Sequence, residues 1–114
     1  MTKKIAFIFP GQGSQTLGML AEFAKDYSLI QETFMEASYV LKFDLWELCQ
    51  EGPESALNQT ENTQPALLTA SVALWRVWKQ QHGIKPTFMA GHSLGEYSAL
   101  VCADALDVVT AVRL

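Results

Sequence analysis

The sequence predicts an α/β fold with parallel strands, and three observations carry that prediction. Ile5-Ala6-Phe7-Ile8-Phe9 is an unbroken apolar run closed by Pro10-Gly11, the pattern of a strand buried on both faces. A second short run, Thr87 to His92, has the same character. The long stretch between them carries helical rather than alternating periodicity. Hydrophobic residues make up 49% of the 114 residues and charged residues 18%. That is enough apolar material for a core, and it excludes a long disordered chain.

The elements follow in order. Leu17 to Tyr27 and Leu29 to Lys42 are helical by period, and Ile30, Phe34, Ala37 and Leu41 share one side of the second helix. Asp44 has the side chain of an N-cap for a short helix, Leu45 to Gln50, that stops at Gly52-Pro53. Pro53 to Leu57 reads as one further short turn of helix. Gln59 to Gln64 is polar and loop-like. Pro65 then suits a first helical position, opening a helix from Ala66 to Gln81 with Leu67, Leu74, Trp75 and Trp78 on one side. Gly83 closes it before the second strand. Leu94 to Ala103 is a helix of small residues, and Asp107 starts a last helix that runs to Leu114 without a stop signal. Repeats, low-complexity segments and linkers are absent, so residues 1–114 read as one unit without an internal boundary. Two strands alone would leave sheet edges unpaired, so the chain is expected to be the N-terminal part of a longer protein.

Composition narrows the function. The net charge is −4 with no basic run, which argues against a nucleic-acid partner. Met1-Thr2-Lys3-Lys4 is followed by only six apolar residues before Gly-Gln-Gly, too short for a signal peptide. No segment approaches the ~18 apolar residues of a membrane span. Cys49 and Cys102 sit within apolar periodic segments, as reduced buried thiols do. A cytoplasmic protein is expected, and no metal-ligand spacing is present.

The chemistry is carried by Gly91-x-Ser93-x-Gly95, placed between the second strand and a helix. That context is the one a nucleophile elbow requires. Gly91 and Gly95 remove side chains where strand and helix approach, and His92 belongs to the same turn. Ser93 projects its hydroxyl from the turn, and the helix turns its free N–H groups toward the same spot. The Leu94 N–H would then stabilise an oxyanion. The alternative is a coincidental match in a glycine-containing turn. Phe9-Pro-Gly-Gln-Gly-Ser-Gln15 also follows a strand directly. A dinucleotide fingerprint from Gly11 fails at Thr16, and a phosphate loop from Gly13 reaches Gly18 but meets Met19 instead of lysine. The segment is either a plain glycine-rich turn or a tight loop beside the serine with the Gln12 N–H as second donor. Parallel strands would bring both loops to one crevice at their C-terminal ends.

A serine needs a base, and neither histidine is a good candidate. His92 directly precedes Ser93, and consecutive side chains at a strand end point to opposite sides, which suits a packing or orienting residue. His82 precedes a strand of roughly 20 Å and should lie at its opposite end.

GQGSQ after the first strand, TQPALL (Thr63 to Leu68) opening a long helix and GHSLGEY after the second strand give the chain a specific resemblance. It resembles the N-terminal third or so of the bacterial malonyl-CoA:acyl-carrier-protein transacylase family, over essentially all 114 residues. The resemblance implies an α/β-hydrolase-like large subdomain with a nucleophile elbow, and a ferredoxin-like subdomain that this chain does not contain. It implies ping-pong transfer of a malonyl group from coenzyme A to Ser93, then to the phosphopantetheine thiol of acyl carrier protein, in fatty acid biosynthesis. Malonyl-CoA is a substrate, and no cofactor is implied. Gln12 and Leu94 match the family's backbone oxyanion donors. The family's histidine base, its orienting glutamine and the arginine that holds the malonyl carboxylate are expected beyond Leu114, and Arg113 is not that arginine. Asp104 stands where a helix-ending glycine is usual, a small departure. By itself the chain is therefore expected to be inactive. The alternatives are a serine esterase or thioesterase with the same elbow, and a non-catalytic fragment. GQGSQ and TQPALL favour the transferase, and the methionine start favours a free-standing protein over a synthase domain.

Overall fold

The computed structural model describes residues 6–9, 13, 15–81, 88–91, 98, 102 and 112. Two strands, β1 (Ala6–Phe9) and β2 (Phe88–Gly91), pair in parallel, with Ala6 opposite Phe88 and Phe9 opposite Gly91. Between them run five helices: α1 (Ala21–Asp26), α2 (Ser28–Leu41), α3 (Leu45–Glu51), α4 (Glu54–Leu57) and α5 (Thr60–Gln80). Ser98, Cys102 and Val112 are also helical. The remainder of the two C-terminal helices read from the sequence lies outside the described residues.

The core of the helical layer is the packing of α2 on α5. From α2 come Ile30, Phe34 and Ala37; from α5 come Ala66, Ala70, Ala73 and Val77; Leu45, Cys49 and Leu57 close the cluster. The α2 side is the face its 3.6-residue period marks, with Leu41 half-buried at its end. The α5 side differs from the reading by residue size. Leu67 and Trp75 are buried, but Leu74 is 38% exposed. The residues meeting α2 are three alanines and a valine at positions 66, 70, 73 and 77. Small side chains let the backbones approach, and the large Phe34 ring fills the space. Its ring also meets Trp46 edge-on, with centroids 5.1 Å apart.

Helix ends follow local chemistry in three places. The Asp44 carboxylate accepts from Glu47 N–H at 3.0 Å, capping α3 as expected. Ser38 donates to the Phe34 carbonyl at 2.7 Å and accepts from Leu45 N–H at 2.9 Å, tying α2 to α3. Gly52 ends α3 at φ +81°, and a Cβ there would lie 2.9 Å from Glu54 N and 3.3 Å from a Leu17 methyl.

Two helix starts depart from the reading. The helix expected from Leu17 begins only at Ala21, because Gly18 (φ +79°) and Leu20 (φ +67°) are left-handed. Gly18 N–H is donated instead to the Cys49 carbonyl at 2.8 Å. The polar stretch read as a loop, Gln59 to Gln64, is mostly the first turn and more of α5, so Pro65 lies inside the helix. Its polar side chains serve the neighbouring helix. Asn62 Nδ2 donates to the Ala56 carbonyl at 3.0 Å, and the buried Thr63 hydroxyl donates to the Leu57 carbonyl. These are carbonyls that the short α4 cannot satisfy internally.

Burial pushes the Cys49 thiol up to about 12 from the ordinary 9.0. The sign of the linkage is clear: above about pH 9 the unfolded chain loses this proton first, so stability falls as pH rises from there toward 12. Iodoacetamide at pH 8 should leave Cys49 unmodified in the native protein and alkylate it in guanidinium, as read by peptide mapping. Fast native alkylation would contradict the buried, protonated thiol.

Candidate active site

Geometry at the site begins with strand register. Because Phe9 pairs with Gly91, the chain leaves both strands at the same edge, about 4.8 Å apart. Gly91, the first residue of the serine motif, is the last residue of β2. Gln12, His92, Ser93, Leu94 and Gly95 lie outside the described residues, as does His82.

The loop after β1 is described at Gly13 and from Gln15 onward. Gly13 sits at φ +112°, open to glycine and strained for other residues, although a Cβ would meet nothing within 4 Å. Its N–H donates to Gln15 Oε1 at 2.9 Å. The other end of that amide, Nε2, donates to Asn58 Oδ1 at 3.0 Å, at the end of α4. A second attachment lies further on, where Gln50 Nε2 donates to the Met19 carbonyl at 2.8 Å beside the Gly18–Cys49 bond. Both ends of this segment are thus fastened to the helical layer. Gln15 belongs to the GQGSQ motif, but its function as a link was missed in the sequence. Asn58 carried no signal at all, since its partner is 43 residues away.

The TQPALL segment has a structural role on these contacts. Thr63 joins α4 to α5, while Ala66, Leu67 and Leu68 are buried. Beyond the serine motif, Ser98 and Cys102 are helical and buried at 1% and 3% exposure. Among the described residues, no group of three or more His, Cys, Asp or Glu could hold a metal ion, and no helix is long and apolar enough to cross a membrane.

Residues 6–114 match the model of the acyl transferase domain. The chain belongs to the acyl transferase domain family. This acyl transferase chain is 65% identical over 111 residues to a malonyl CoA-acyl carrier protein transacylase of Salmonella typhimurium, covering 97% of the chain and 36% of that protein. Among solved structures, an acyl carrier protein S-malonyltransferase from Vibrio cholerae superposes with a TM-score of 0.96 at 58% identity, over 97% of this chain and 36% of that one. A malonyl-transacylase in complex with a type II polyketide synthase acyl-carrier protein gives 0.96 at 59% identity, over the same shares of 97% and 36%. The acyl transferase chain thus spans little more than a third of the length of these relatives.

Proposed function

We propose that this acyl transferase chain supplies the nucleophile and the oxyanion site of an enzyme that moves a malonyl group from coenzyme A to the phosphopantetheine thiol of acyl carrier protein. The observation that carries the reading is the parallel register of Phe9 with Gly91. Three peptide units beyond Phe9 comes Gln12, and two beyond Gly91 comes Ser93. At about 3.8 Å per unit, both fall within reach of one crevice. The identity to malonyl transacylases supports the substrate.

In this reading β2 and the helix after it form a nucleophile elbow, with Gly91, His92 and Gly95 shaping the turn. The larger sheet is α/β-hydrolase-like, and residues 1–114 are a continuous part of its subdomain. Ser93 Oγ attacks the thioester carbonyl while a base takes its proton. The Gln12 and Leu94 N–H groups hold the oxyanion, and the coenzyme A thiol leaves with a proton. The carrier thiol then attacks the malonyl-serine ester, and Ser93 regains its proton. The chain spans 36% of the malonyl transacylase it resembles, and in this reading the base and the arginine facing the malonyl carboxylate come from the part it does not span, so transfer is assigned to the whole enzyme. The chemistry asks for no cofactor, and the setting is the cytoplasm, in fatty acid biosynthesis.

The test is the fate of the acyl group. Full-length enzyme with malonyl-CoA and holo acyl carrier protein should give malonyl-carrier in step with free coenzyme A. Free malonate with no carrier product would favour a serine thioesterase instead.

A further inference from the structure

We propose that Gln15 is a positioning residue for acyl transfer, clamping the loop after β1 to the end of α4 through Asn58. The proposal rests on the reading of Gln12 N–H as an oxyanion donor. One side-chain amide makes both bonds, accepting from Gly13 N–H at 2.9 Å and donating to Asn58 Oδ1 at 3.0 Å. Gly13 N–H belongs to the peptide that joins Gln12 to Gly13. Holding that N–H fixes the plane of the peptide adjoining the one that carries the Gln12 donor. The need for a fixture is local: Gly13 is a glycine at φ +112°, and a Cβ built on it would meet nothing within 4 Å, so among the described residues packing does not restrict it. Downstream, the Gly18–Cys49 and Gln50–Met19 bonds anchor the far end of the same segment. Gln15 and Asn58 anchor the near end.

Oxyanion donors act through preorganisation, and small displacements of a reacting geometry cost rate steeply. Loosening the clamp should therefore lower kcat and kcat/KM together, the signature of an interaction realised in the transition state.

The experiment uses the full-length enzyme, malonyl-CoA as substrate and the rate of acyl-enzyme formation. Q15A should slow acylation by about 10- to 100-fold, less than or comparable to the ~10²- to 10³-fold cost of deleting a donor itself. KM for malonyl-CoA should change by less than about threefold. N58D keeps an acceptor for Gln15 Nε2 and should stay within about twofold of wild type, because the clamp survives. The double variant Q15E/N58D places two carboxylates face to face with no donor between them, and should fall to the level of Q15A. Should Q15A fold poorly, the comparison of N58D with Q15E/N58D decides alone. Wild-type acylation by Q15A or Q15E/N58D, a loss confined to KM, or an N58D as slow as the double variant would each overturn the clamp. S93A is run alongside. If S93A forms no adduct, those results count against Gln15 only; an S93A enzyme that is still acylated removes the underlying reading as well.

Discussion

Replacing Ser93 with alanine is expected to abolish the covalent malonyl adduct of the full-length enzyme and to lower transfer to acyl carrier protein by about 10⁶-fold, on the scale seen when a hydrolase loses its serine nucleophile. The expectation rests on the position of the motif. Gly91 ends β2, in register with Phe9 at the end of β1, and Ser93 follows it at the start of Leu94-Gly95-Glu96. Alanine removes the attacking oxygen and little else, so thermal stability should be unchanged. Ser93→Cys is the informative companion, since a thiol keeps nucleophilicity and should still accept the acyl group at a reduced rate. Intact-protein mass spectrometry after incubation with malonyl-CoA reads the result. An S93A protein that gains the malonyl mass with undiminished stoichiometry would place the nucleophile on another residue.

The second large effect concerns stability. Phe34 is fully buried, lies between α2 and the alanine stripe of α5, and meets the Trp46 ring edge-on. Phe34→Ala removes the ring from a site whose partners on α5 are already small and cannot move in to fill the space. The loss should be about 3–5 kcal/mol, which for a protein of moderate size lowers Tm by roughly 10 °C. Phe34→Leu keeps much of the volume and should cost clearly less. Thermal unfolding of the two variants beside wild type is the measurement. A Phe34→Ala protein melting within about 2 °C of wild type would show that this interface is not the core of the helical layer.

Short-range signals in the sequence sufficed at several places where a residue's partner is its near neighbour. Asp44 caps α3 through Glu47, three residues on. Gly52 stops that helix because it alone takes φ +81° there without strain. The buried side of α2 at Ile30, Phe34 and Ala37 is set by the 3.6-residue period of one helix. The motif order led to the acyl transferase family, which the match over residues 6–114 bears out; Gln12, Ser93 and Leu94, the site residues it names, lie outside the described residues.

Other features depended on contacts between separate elements. α5 begins at Thr60 rather than Pro65, with Asn62 and Thr63 bonded to the Ala56 and Leu57 carbonyls of α4; read alone, that polar run looks like a loop. The helix expected at Leu17 starts late because Gly18 turns its N–H to Cys49, 31 residues away. Leu74 is exposed while Ala70 and Ala73 are buried, since which face of α5 is covered depends on the shape of α2 and not on the size of its own side chains. The Gln15–Asn58 bond spans 43 residues, and the pairing of Phe9 with Gly91 spans more. Local propensity and periodicity are properties of a segment and can be read along it. Hydrogen-bond partners, packing faces and strand register exist only once distant segments meet, so the tertiary structure alone decided them.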